Sequence, residues 1–115
     1  MDTTRGNLFE ALPPTGAEEA IDHLLSRPGT RIERIVSRGH RSPDGFWYDQ
    51  PEDEWVCLLI GCATLYFEGG ESLVLAAGDW LVIPAHVRHR VIATSDPAIW
   101  LAVFVDHDAS GRGGR

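Results

Sequence analysis

Two residues in this chain sit where their chemistry is costly. Glu54 opens the apolar run Glu54-Trp-Val-Cys-Leu-Leu-Ile-Gly61, and His89 stands at the start of a second such run ending at Thr94. Strand alternation from Glu54 sends Val56, Leu58 and Ile60 to one face. A carboxylate on an inward apolar face is unfavourable unless it is paired, hydrogen-bonded or bound to a cation. Asp49, Glu52, Asp53 and Glu54 also place four carboxylates within six residues. Repulsion within such a cluster raises a pKa, which is how a general acid or base is made. A solvated acidic loop with Glu54 as its one inward member is the plainer account. His86, at a turn just before the second run, is placed to serve as a base at a pocket rim. His40, in Gly39-His40-Arg41, has the same standing with less support.

Other chemistries are excluded or left without support. All ten cationic residues are arginine, so no lysine Schiff base or lysine general base is available. Cys57 and Cys62 lie in apolar, strand-like surroundings without a CxxC spacing; they read as buried free thiols of a reducing compartment rather than zinc ligands. The net charge of −7 disfavours nucleic acid and anionic membrane as partners, since both need a basic patch. No apolar run approaches the ~20 residues of a membrane-spanning helix, and the first residues do not read as a secretory signal. The expected location is the cytoplasm.

The elements that must hold these residues are strands. Arg31–Ser37, Glu54–Ile60, Ala63–Phe67, Ser72–Ala76, Trp80–Ile83, Arg88–Thr94 and Ala98–Val105 are rich in Val, Ile, Leu, Trp and Tyr. Turn residues separate them, among them Gly61, Gly69-Gly70, Gly78-Asp79 and Asp96-Pro97. Seven short, closely spaced strands give an all-β sandwich or barrel. Upstream, Thr15-Gly-Ala-Glu18 fits a capping box. Ala20, Ile21, Leu24 and Leu25 follow at helical spacing before Pro28-Gly29. The expectation is a short amphipathic helix over about residues 16–26, lying against the outside of the barrel. The domain plan is an N-terminal segment over 1–29, a barrel over 30–107 and a flexible tail over 108–115.

Two stretches resemble the paired motifs of the cupins. Glu54-x6-Gly61 matches the second half of H-x-H-x(3,4)-E-x6-G. Gly78-x5-Pro84 with His89 matches G-x5-P-x-G-x2-H-x3-N. The resemblance covers about residues 31 to 105 and implies a double-stranded β-helix, a jelly-roll-like barrel. It places Tyr48 and Gln50 where the family carries its first two histidines. His86 stands at a motif glycine and Ala93 at the closing asparagine. Only Glu54 and His89 keep the family's ligand types.

The resemblance implies a divalent transition metal (Fe, Mn, Zn or Ni) held by Gln50, Glu54 and His89, with Tyr48 or His86 moving protons. A buried Glu54–His89 ion pair without metal is the competing reading. Two functions stay open: a small-molecule oxygenase, isomerase or lyase with a reduced ligand set, and a non-catalytic binding or sensing module. The motif alignment brings Tyr48, Gln50, Glu54 and His89 to one open end of the barrel. Val56, Leu58, Ile60, Val91 and Ala93 are expected as its apolar floor. Trp55, next to inward Glu54, points outward, which together with the resemblance suggests a homodimer.

Overall fold

The computed structural model describes residues 3–106. Eight strands follow one another: β1 (Ala20–Arg27), β2 (Thr30–Ser37), β3 (Glu52–Ile60), β4 (Cys62–Phe67), β5 (Ser72–Ala76), β6 (Trp80–Ile83), β7 (His89–Thr94) and β8 (Ala98–Asp106). They form two antiparallel sheets, β1-β2-β8-β3-β6 and β5-β4-β7. The expected all-β double-stranded β-helix is the observed architecture. The expected tail and His107 lie outside the described residues.

The core forms where the inner faces meet. Strand β8 alternates Ala98, Trp100, Ala102 and Phe104 inward, and all four are buried. The small residues leave room for the two large rings. Leu58, Ala63, Leu65, Leu75 and Ile83 complete the cluster from both sheets. The Trp100 indole N–H, buried among them, donates to the Ser37 hydroxyl at 3.2 Å, so it enters the core satisfied.

Gly61 makes the turn from β3 to β4. Its φ is +90°, and a Cβ there would stand 2.2 Å from Ser95 Oγ and 2.6 Å from the Pro97 carbonyl oxygen. Both backbone conformation and space demand glycine.

The expected helix is not formed. Ala20–Arg27 is instead the edge strand β1, paired antiparallel with β2. Pro28-Gly29 is not a helix stop but a two-residue hairpin turn, with Gly29 at φ +81°. Proline before a positive-φ glycine suits a type II turn. A register shift between His23 and Leu25 breaks strict alternation, and the resulting spacing of apolar residues imitates a helix. The backbone bonds offered by β2 outweigh the local preference. Upstream, the buried Arg34 guanidinium gathers the chain. It donates to the carbonyls of Leu8 (3.2 Å), Glu10 (2.6 Å) and Ala11 (3.2 Å) and pairs with Asp22.

Candidate functional site

A cavity of about 220 Å³ opens at one end of the barrel, between the sheets, and Tyr48, Gln50, Glu54 and His89 all line it. Each is placed by backbone. Glu54 lies in β3, opposite Ile83 of β6 and Phe104 of β8, so it points inward. His89 is the first residue of β7. Tyr48 is strapped to it: Tyr48 N–H donates to the His89 carbonyl at 2.7 Å, and His89 N–H donates back at 3.2 Å. Their rings stack at 5.4 Å. Gln50 is held by the His86 N–H, which donates to its carbonyl at 2.7 Å.

The floor differs from the expected set. Val56 and Val91 line the cavity, with Leu65, Ile83, Trp100 and Phe104. Leu58 is fully buried in the core below it. Ile60 and Ala93 are exposed instead. Register shifts between Leu58 and Ile60, and between Thr64 and Leu65 opposite β7, rotate the strand ends away from the interior.

His86 stands apart. It does not line the cavity; its Nδ1 meets Asp49 Oδ1 at 2.7 Å on the surface. At the motif's glycine position it holds φ +63°, a conformation unusual for a residue with a side chain. The Asp49 contact and the bond to Gln50 secure that turn. Cys57 and Cys62 are free, but neither is buried as expected: Cys57 is half-buried, and Cys62 is exposed where it follows the turn at Gly61.

Three charged residues of the cavity wall were not legible beforehand: Glu19, Arg31 and Glu33. Glu19 was hidden by the helical reading of its segment. Arg31, Glu33 and Ile35 alternate onto the inner face of β2, a signal blurred by the apolar residues on the strand's other face. The Arg31 guanidinium is occupied: its Nε donates to Glu33 at 3.0 Å, its Nη1 to Glu52, and its plane lies 3.9 Å over the Phe104 ring. Glu19 accepts from the Tyr48 hydroxyl and the Ser37 hydroxyl, each at 3.3 Å.

Burial sets the protonation of the two central groups. Removal from water, the repulsion of Glu33 and the lesser repulsions of Glu19 and Glu52 outweigh the attraction of Arg31 and push Glu54 up to about 7. Burial lowers His89, against the opposing pull of its bond to Val87. His89 Nδ1 sits 2.9 Å from the Val87 carbonyl, which can only accept. The proton is therefore on Nδ1, and Nε2 presents its lone pair 3.8 Å from Glu54 Oε1. Burial and the neighbouring Glu19 raise Tyr48 well above an ordinary phenol, so it stays a hydrogen-bond donor.

The same geometry bears on a metal. An imidazole fixed through Nδ1 to a backbone carbonyl, with Nε2 turned toward a carboxylate, is how a ligand histidine is oriented. Among the described residues, however, no group of three or more His, Cys, Asp or Glu is placed to hold a metal ion. At the position of a motif histidine Gln50 offers an amide oxygen, a weaker ligand than a third imidazole. The donor set is that of a weak site.

Comparison with known proteins agrees with this architecture. The Cupin domain family model matches residues 36–104, and the chain belongs to the cupin family. It is 48% identical to a candidate mannose-6-phosphate isomerase from Ralstonia eutropha JMP134, with a TM-score of 0.86 over 90% of this chain and 99% of that one. A conserved double-stranded β-helix protein from Klebsiella pneumoniae aligns at 16% identity and TM-score 0.77, over 94% of both chains. A cupin superfamily protein from Desulfitobacterium hafniense aligns at 17% and 0.73, over 91% of this chain and 94% of that one. These last two share the fold. None of the curated proteins matches the chain.

Proposed function

We propose that the cavity is the active site of an isomerase-type enzyme acting on a small hydroxy-carbonyl compound by proton transfer between Glu54 and His89. The observation that carries this reading is the pair itself. At neutral pH an unprotonated Nε2 faces, at 3.8 Å, a carboxyl group that titrates near 7. One group removes a proton from the carbon beside the carbonyl while the other delivers a proton to the carbonyl oxygen, giving an enediol. Return of a proton to the neighbouring carbon, with loss of one from the other hydroxyl, completes the isomerisation. Acid and base matched to the working pH in this way contribute ~10²–10⁴-fold in rate. Tyr48 and Gln50 supply hydrogen bonds to orient the substrate. The isomerase assignment carried by the Ralstonia protein supports the same reaction class. The two free thiols suit a reducing, cytoplasmic setting.

The test is proton exchange. A panel of small hydroxy-aldehydes and hydroxy-ketones is incubated with the protein in deuterated water and followed by NMR. The parent should exchange the proton at the carbon beside the carbonyl of at least one compound, and Glu54→Gln and His89→Ala should each lose roughly 100-fold or more of that rate. Exchange no faster than buffer across the panel would favour a binding or sensing module.

The orientation of His89 by Val87 favours a second reading, in which Gln50, Glu54 and His89 hold a divalent transition metal. Such an ion would polarise the carbonyl oxygen when bound. Elemental analysis of untagged protein distinguishes the two. Stoichiometric metal lost in His89→Ala supports the second reading.

A further inference from the structure

We infer that the cavity selects a small organic cation, a polyhydroxy compound carrying a protonated amine, over its neutral and phosphorylated counterparts. This rests on the cavity being the substrate site, as proposed above, and names the class of molecule it takes.

The walls carry three carboxylates, Glu19, Glu33 and Glu54, against one guanidinium, Arg31. That guanidinium is already engaged by Glu33 and Glu52, and its planar face lies against Phe104. Arg31 attracts Glu54 from a distance, but its ion pairs are with Glu33 and Glu52 and not with Glu19 or Glu54. Glu54 is the sharper case. Its side chain is only 10% exposed, and among the described residues its carboxylate makes no hydrogen bond, with His89 Nε2 standing 3.8 Å away. A buried carboxylate in that condition is stabilised by an incoming N–H donor that carries charge.

An anion meets the opposite situation. A phosphate needs an open guanidinium fork, an ammonium or a helix N-terminus. The chain has no lysine, the structure has no helix among the described residues, and Arg31 is the single arginine on the cavity wall. A phosphate entering here would face Glu19 and Glu54 directly. The net charge of −7 adds a long-range field that draws cations and repels anions.

Three open-chain polyols that cannot turn over test this: mannitol, 1-amino-1-deoxymannitol and mannitol 1-phosphate, titrated against tryptophan fluorescence. The amine should bind about tenfold or more tightly than mannitol, and the phosphate more weakly than mannitol. Glu19→Gln and Glu54→Gln should each reduce the amine's advantage. Equal affinities, a preference for the phosphate, or saturation by none of the three would overturn the inference. The readout is binding alone, so it separates from the exchange test. A preference for the amine without exchange leaves the selectivity standing and removes the catalysis. Exchange on sugars with no gain from the amine does the reverse.

Discussion

Tyr48 and His89 are joined twice over, by a reciprocal pair of backbone hydrogen bonds and by stacked rings. The loop ahead of β3 is thereby fixed to the first residue of β7. The wall of the cavity is a two-residue extension of the sheet, not a free loop. Because the bridge is made by backbone, removing the imidazole leaves it intact. His89→Ala should keep the fold and its far-ultraviolet circular dichroism while losing proton exchange by ~100-fold or more. Loss of the folded spectrum would show that the imidazole itself holds the loop.

Glu54 gives a stability signature with a definite sign. Its folded pKa, about 7, lies above the unfolded value near 4.5. The folded state therefore holds more protons in that window, and stability contributed by Glu54 falls as pH rises from 4.5 to 7. Glu54→Gln removes this loss. The variant should match the parent below pH 4, gain on it through the window, and level off above pH 7 at up to ~3 kcal/mol of extra stability. His89, lowered by burial, works with the opposite sign but cancels in the difference. Denaturant melts across pH check this; a constant difference would mean that Glu54 is ordinary.

Gly61→Ala should be severely destabilising. Its Cβ would press on Ser95 and on the Pro97 carbonyl at distances no real Cβ shows, and the residue would be held at φ +90°. Strain and overpacking together amount to roughly 2–5 kcal/mol. A loss below 1 kcal/mol in a urea melt would contradict the packing at this turn.

His86→Gly should be nearly silent. Glycine relieves the positive φ but gives up the exposed Asp49 pair and gains chain entropy in the unfolded state, leaving stability within about 1 kcal/mol of the parent. Proton exchange should be unchanged, because His86 does not reach the cavity. A large loss of exchange would restore it to the site.

The outer face of β3, β6 and β8 presents Trp55 stacked on Trp80, with Val82 and Val105 beside them. Pairing with a second copy across a two-fold axis would cover this apolar face. Light scattering should give the mass of two chains, reduced to one by Trp80→Glu. A single-chain mass for the parent would refute the pairing.

The strands and the inward Glu54 and His89 were legible because alternation and turn residues report them directly. The motif spacing put Tyr48 and Gln50 beside them, and both line the cavity. The edge strand was not legible. Ala20, Ile21, Leu24 and Leu25 satisfy helical spacing, and only pairing with β2 decides otherwise. Glu19 was lost with it. Ile60 and Ala93 were misplaced because a bulge is a property of two strands together; neither sequence segment contains it alone. Arg31 could be found as a residue but not as an occupied one, since Glu52, its second partner, comes from another strand.

The Arg34 clasp has a consequence for assembly. By holding the carbonyls of Leu8, Glu10 and Ala11, it keeps the leader folded over the β1–β2 side of the large sheet, while the Trp55–Trp80 side stays bare. Three residues that belong to no strand are thus held against that sheet by one side chain. Losing those residues would leave the Arg34 guanidinium with Asp22 as its remaining partner among the described residues and would uncover the sheet face beneath them.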